Sequence, residues 1–130
     1  MRELKFRAWC ILEKKGSFVY FDLENRNSFS FDIMDEPPVF QQYTGLKDKN
    51  GNLIYEGDIL SFVTTRSSYD GLFSGNTLIG EVKWSDLHCA SVFKISSDDR
   101  HDGEEFQLFN DSRNKEIIGN IFETPELLKQ

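Results

Sequence analysis

Apolar and polar side chains change places at almost every step along "KFRAWCI" (Lys5–Ile11), and the same pattern returns in "NSFSFDI" (Asn27–Ile33). A period of two sends successive side chains to opposite faces, which is the repeat of a β-strand. In the first stretch Phe6, Ala8 and Cys10 share one face and Arg7, Trp9 and Ile11 the other. In the second, Phe29, Phe31 and Ile33 fall together. Composition points the same way: aromatics make up 14% of the chain and Phe occurs 12 times, and such side chains pack well on a pleated surface.

The punctuation between alternating runs gives the order of elements. The turn Lys14-Lys15-Gly16 joins "KFRAWCI" to "GSFVYFD" as a first hairpin, and Pro37-Pro38 in "MDEPPV" marks a loop, because proline supplies no ladder N–H. "VFQQYTGL" extends again. Asn50-Gly51 then predicts a type I′ hairpin turn with two residues at positive φ. "NLIYEGDILSFV" returns as a strand kinked at Gly57, with Leu53 and Tyr55 on one face and Ile54 on the other. Asp58 is placed to bond backbone N–H groups at that corner. "TTRSSYDGLFSGNT" reads as a long polar loop, and "LIGEVKW", "ASVFKI", "EFQLFN" and "EIIGNIF" as four more strands, with "SSDDRHDGEE" an acidic surface turn. In "ETPELLKQ", Thr124 as cap, Pro125 at the first helical position and Glu126 beside it predict a short C-terminal helical turn, with Leu127 or Leu128 resting on the sheet. The fold class is all-β, a small barrel or hairpin assembly of about eight short strands closed by one turn of helix.

A length of 130 residues suits one domain, 1–130, able to bury a core without disulfides. The net charge of −7 is uneven: residues 1–50 carry eight basic and eight acidic side chains, so the whole excess lies in residues 51–130. Nucleic-acid affinity rests on Lys and Arg displacing phosphate counterions, and an acidic chain with no basic run is poorly built for it. The one local basic group is Arg2, Lys5 and Arg7. Two distant cysteines, Cys10 and Cys89, form no framework. With no signal peptide or apolar span in view, the expectation is a cytoplasmic protein with reduced thiols and no membrane contact.

The chemical motifs fail on spacing. A calcium loop starting at Asp48 needs Gly at its sixth position and Glu at its twelfth, where Leu53 and Ile59 stand. "GLFSGNT" has three residues between its glycines and Asn76 where a phosphate loop needs Lys. His88 and Cys89 are adjacent, so on a strand they diverge, and with Cys10 and His101 they make no metal set. No nucleophile elbow is present, and the pairs Asp98-Asp99 and Glu104-Glu105 sit in solvated turn sequence. No catalytic, cofactor or metal residue is therefore assigned, and Glu56 and Asp58 are read as a structural corner. Trp9, Trp84, Tyr20, Tyr43, Tyr55 and Tyr69 offer a stacking platform in principle, but aromatics on alternating strands are more often core or subunit contacts. Tyr69, Leu72 and Phe73 differ: they are large apolar side chains in a polar loop, the pattern of a protein-contact surface.

Three segments, "MRELKFRAW", "QYTGLKDKNGNLIYEGDIL" and "EIIGNIFETPELL", resemble in order the YopX family of bacteriophages and bacterial prophages. The resemblance implies an SH3-like small β-barrel with additional N-terminal hairpins, divided as an N-terminal β subdomain 1–45 and a barrel 46–130, in a chain that assembles as a homo-oligomer. It carries no catalytic residues and no cofactor. The reading it supports is a non-enzymatic phage or prophage accessory protein in the bacterial cytoplasm that binds a host or phage protein. A nucleic-acid-associated module and a small-ligand enzyme are the alternatives.

Overall fold

The computed structural model describes residues 4–22, 35–63, 77–85, 90–95, 105–107 and 115–128. They form nine strands: β1 (Lys5–Leu12), β2 (Lys15–Asp22), β3 (Val39–Lys47), β4 (Leu53–Tyr55), β5 (Asp58–Val63), β6 (Thr77–Ser85), β7 (Ala90–Ile95), β8 (Glu105–Gln107) and β9 (Lys115–Asn120). A 3-10 turn over Pro125–Leu128 ends the described chain. The strands make two antiparallel sheets, β2-β1-β3-β4 and β8-β7-β6-β5-β9, one of them a curled half-barrel. The protein is all-β, as the alternation predicts. The strand expected at "NSFSFDI" and the loop bearing Tyr69, Leu72 and Phe73 lie outside the described residues, as do His88, Cys89 and His101.

Two turns differ from expectation. The β1–β2 loop is the pair Glu13-Lys14, both at positive φ (53° and 65°), so Lys15 and Gly16 already belong to β2. A two-residue loop of this kind needs that backbone to match the strand twist. Asp35 holds it: its carboxylate accepts from the Lys14 N–H at 2.9 Å, and its own N–H donates to the Ile11 carbonyl at 2.8 Å. Gly16 instead makes room for an indole, since a Cβ there would lie 2.0 Å from Trp9.

The Asn50-Gly51 loop, by contrast, is not a type I′ turn. Only Gly51 has positive φ (84°). The Gly51 N–H donates to the Asp48 carbonyl at 3.0 Å and the Asp48 N–H to the Asn52 carbonyl at 2.9 Å. That is a type I turn followed by a left-handed glycine, the three-residue hairpin loop. Asp48 selects it, because Oδ1 accepts from the N–H groups of Asn50 and Asn52 at 3.0 and 2.9 Å. The other oxygen accepts from the Ile117 N–H of β9 at 3.1 Å, and the Lys49 N–H reaches the Lys115 carbonyl at 2.8 Å. The loop of the first sheet thereby covers part of an edge strand of the second, which a lone edge would leave unpaired.

The core is small. Ile54, Leu60, Leu78 and Val82 are buried together, with Leu46, Phe62 and Ile117 packed on them. Each fully buried aliphatic contributes about 1.5–3 kcal/mol. Ile54 faces this core while Tyr55 faces the other way, as the alternation predicts. Ala8 and Cys10 are buried on the first sheet, and burial pushes the Cys10 thiol up.

Candidate functional site

Strand β1 places Arg7 on the face that looks toward the second sheet, beside Tyr20 on β2 and Gln41 on β3. Tyr55 enters from β4, opposite Tyr43 on β3. Asp58 is the first residue of β5. The chain passes from one sheet to the other between them, at Glu56 and Gly57. Gly57 has φ of 87°, and a Cβ there would lie 1.9 Å from Gln41 Nε2, so both backbone and space require glycine. Its N–H donates to the Val82 carbonyl and its carbonyl accepts from the Ile121 N–H, each at 2.9 Å. The expected kink is therefore the junction of the two sheets.

Arg7 is 4% exposed. Nε donates to Gln41 Oε1 at 2.7 Å, and one terminal nitrogen reaches the Glu56 carbonyl at 3.2 Å and Asp58 Oδ1 at 2.9 Å. The guanidinium lies over the Phe18 ring at 4.2 Å and the Tyr55 ring at 5.0 Å. Arginine's planar fork allows stacking and several directed bonds at once, which a lysine would not. Asp58 also accepts from the Tyr55 N–H at 2.8 Å, the corner bond expected of it. Burial pushes its carboxyl up, against the downward pull of the Arg7 charge and the Tyr55 N–H. Burial, with Tyr20 next in effect, also pushes the Tyr55 phenol up.

These groups floor an open groove of about 430 Å³, lined by Arg7, Phe18, Tyr20, Asn52, Leu53, Tyr55, Asp58, Ile117, Gly119, Asn120 and Glu123. Asp58 thus reaches a cleft, which the reading of Glu56 and Asp58 as a plain corner did not anticipate. Glu56 does not: its carboxylate accepts from the Gln42 N–H at 3.1 Å. Asn120 shapes the far wall. Its Oδ1 accepts from the Phe122 and Glu123 N–H groups at 3.0 and 2.9 Å, and its Nδ2 donates to Glu123 at 2.8 Å. The resulting turn lays Phe122 flat on Trp9, ring centroids 5.0 Å apart and 8° from parallel. Thr124 does not cap the 3-10 turn with its hydroxyl, which accepts from the Asn120 N–H and donates to the Asn120 carbonyl. Among the described residues no three of His, Cys, Asp and Glu come together as metal ligands, and no helix is long and apolar enough to cross a membrane.

Of the six aromatics weighed for stacking, Tyr43 and Tyr55 are buried, while Tyr20 and Trp84 are exposed. Sequence reasoning missed Arg7 as a site residue. The signal was a lone arginine on an alternating strand beside tryptophan, which alternation alone places on a solvent face.

The fold and this junction define an all-β protein of two sheets tied by a buried Arg–Asp pair. Residues 8–129 match the family described as YopX protein, so the chain belongs to the YopX family. The crystal structure of protein EF1440 from Enterococcus faecalis has the same fold, with a TM-score of 0.54 and 24% identity over 99% of this chain and 100% of that one. No curated protein matches. The three segments that carry the resemblance meet at the groove: Arg7 from the first, Tyr55 and Asp58 from the second, Asn120 from the third.

Proposed function

We propose that this chain is a phage or prophage accessory protein that acts by binding another protein, without a reaction of its own, as a homo-oligomer in the bacterial cytoplasm. The observation that carries this reading is the state of the junction. Its two groups capable of chemistry, Arg7 and Asp58, are consumed by each other, by Gln41 and by backbone. What the described surface exposes there is apolar: Tyr20 (55% exposed) and Val39. Exposed apolar side chains of this size favour association. The SH3-like barrel is supported by the order β8-β7-β6-β5-β9, a four-strand meander β5 to β8 followed by a fifth strand, β9, that returns beside β5. The division into a β subdomain 1–45 and a barrel 46–130 remains part of this proposal. Tyr69, Leu72 and Phe73 stay part of the proposal as a second contact patch.

Affinity purification from lysogenic cells, paired with light scattering on the purified chain, tests the reading. A partner protein lost on Tyr69→Ser/Phe73→Ser or Tyr20→Ser, and a mass above one chain, are the expected results. A monomer that retains only single-stranded nucleic acid at low salt would instead favour the nucleic-acid module.

A further inference from the structure

We propose that β2 pairs antiparallel with the β2 of a second copy, in a register centred on Val19, joining two four-stranded sheets into one. The inference rests on the homo-oligomer reading above and gives it an interface. The two sheets have four outer strands, β2, β4, β8 and β9. β4 and β8 run for three residues each, and the loop at Asp48 and Lys49 covers part of β9. β2 runs for eight residues in unbroken register with β1. Among the described residues nothing pairs with its other side. Long edges are ordinarily blunted by a proline, a bulge or a charge in mid-strand. β2 has none of these: its charged residues, Lys15 and Asp22, are its two ends.

The edge is complementary to itself. The Ile11 carbonyl accepts from the Asp35 N–H, not from Gly16 opposite it. Bonded and non-bonded pairs alternate along an antiparallel ladder. Lys15, Ser17, Val19 and Phe21 therefore bond to β1, and Gly16, Phe18, Tyr20 and Asp22 turn their backbone groups outward. A two-fold axis normal to the sheet at Val19 pairs all of these at once, Phe18 with the partner's Tyr20 and Gly16 with the partner's Asp22. Centring on Phe18 would instead set Asp22 against the partner's Lys14, whose N–H already goes to Asp35. The end carrying Lys14 and Lys15 then meets the partner's end carrying Asp22, opposite in charge. Aromatic cross-strand pairs such as Phe18 with the partner's Tyr20 add to the pairing. Tyr20, 55% exposed, gains a neighbour. Both residues line the groove, so the partner's Phe18 and the partner's Tyr20 lengthen its rim. The contact is isologous and closes at two copies.

Single cysteines placed on the edge of a Cys89→Ser chain test the register, Cys10 being buried. At the axis Val19 meets its own counterpart in a non-bonded pair, whose Cα spacing of about 4.5 Å suits a disulfide. Val19→Cys is expected to give a covalent dimer on mild oxidation. Ser17→Cys, opposite the partner's Phe21, is expected to give almost none. Tyr20→Pro removes an outward N–H and spares the β1 ladder. By light scattering, wild type is expected to have an even multiple of the one-chain mass, and Tyr20→Pro half of it. Equal cross-linking of the two cysteines, or a folded Tyr20→Pro chain of wild-type mass, overturns the proposal and leaves the homo-oligomer standing. If Tyr20→Pro does not fold, the two cysteines decide by themselves. A wild type of one-chain mass without a Val19→Cys dimer overturns both. Val19→Cys cross-linked only to a foreign chain in a lysogen lysate gives the edge to another protein and overturns the second copy.

Discussion

Replacing Gly57 by alanine isolates what the junction between the sheets demands. Two costs arise, and Gly51 separates them. Both glycines have nearly the same φ, 87° and 84°, so each alanine pays about 1–2 kcal/mol for a left-handed backbone. At Gly51 nothing lies within 4 Å of the new Cβ, and the cost stops there. At Gly57 the Cβ would sit 1.9 Å from Gln41 Nε2 and 2.8 Å from its Cδ, so the buried glutamine must swing away. That breaks the 2.7 Å bond from Arg7 Nε and leaves a buried charged donor unsatisfied, at about 1–3 kcal/mol. Gly57→Ala should therefore cost about 2–5 kcal/mol against about 1–2 for Gly51→Ala. Urea unfolding measures both, read from the midpoint at constant slope. Introduced into a Gln41→Ala background, where the clash and the bond are already gone, Gly57→Ala should fall to the backbone cost alone. Equal losses for the two alanines in the wild-type background would refute the packing argument, and so would an undiminished Gly57→Ala loss in the Gln41→Ala background.

Two further outcomes follow from buried charge. Arg7→Met strands Asp58 without its counter-charge and should cost about 3–5 kcal/mol at neutral pH. The pH sign is set by the upward shift of Asp58. A carboxyl raised in the folded state binds more protons there than in the unfolded chain, so stability falls as pH rises through the window above the ordinary value of about 3.9. The Arg7→Met loss should thus shrink on acidification toward that value, and Arg7→Met/Asp58→Asn should abolish the recovery; urea midpoints taken at stepped pH read both. Asp48→Ala removes the acceptor for the Asn50, Asn52 and Ile117 N–H groups and should cost about 2–4 kcal/mol. Amide exchange at Ile117 should quicken more than at core positions such as Val82, and unchanged protection there would contradict the tie between loop and β9.

The alternation of side chains was enough for the class of fold and for most strands, because a period of two is a local property that burial then enforces. Ile54 and Tyr55 took opposite faces as the pattern required, and Asp58 bonded the corner backbone. Turn chemistry was less legible. Asn50-Gly51 has the composition of a type I′ pair, but Asp48, two residues earlier, holds the N–H groups that select the three-residue loop. Gly16 reads as a turn glycine, yet it serves an indole seven residues back along the chain and across the hairpin.

The site was the least visible part. Tyr69, Leu72 and Phe73 stand out in the sequence because apolar residues in polar surroundings are a local contrast. Arg7 does not, since a lone arginine on an alternating strand looks like any solvated position. Its burial depends on Phe18, Gln41, Tyr55 and Asp58, drawn from four other strands up to 51 positions away. The sequence by itself determined that this chain would be an all-β member of its family, with a sharp corner at Gly57. Only the tertiary structure decided that the corner joins two sheets over a buried ion pair and an aromatic groove, because those contacts exist only once distant strands are brought into register.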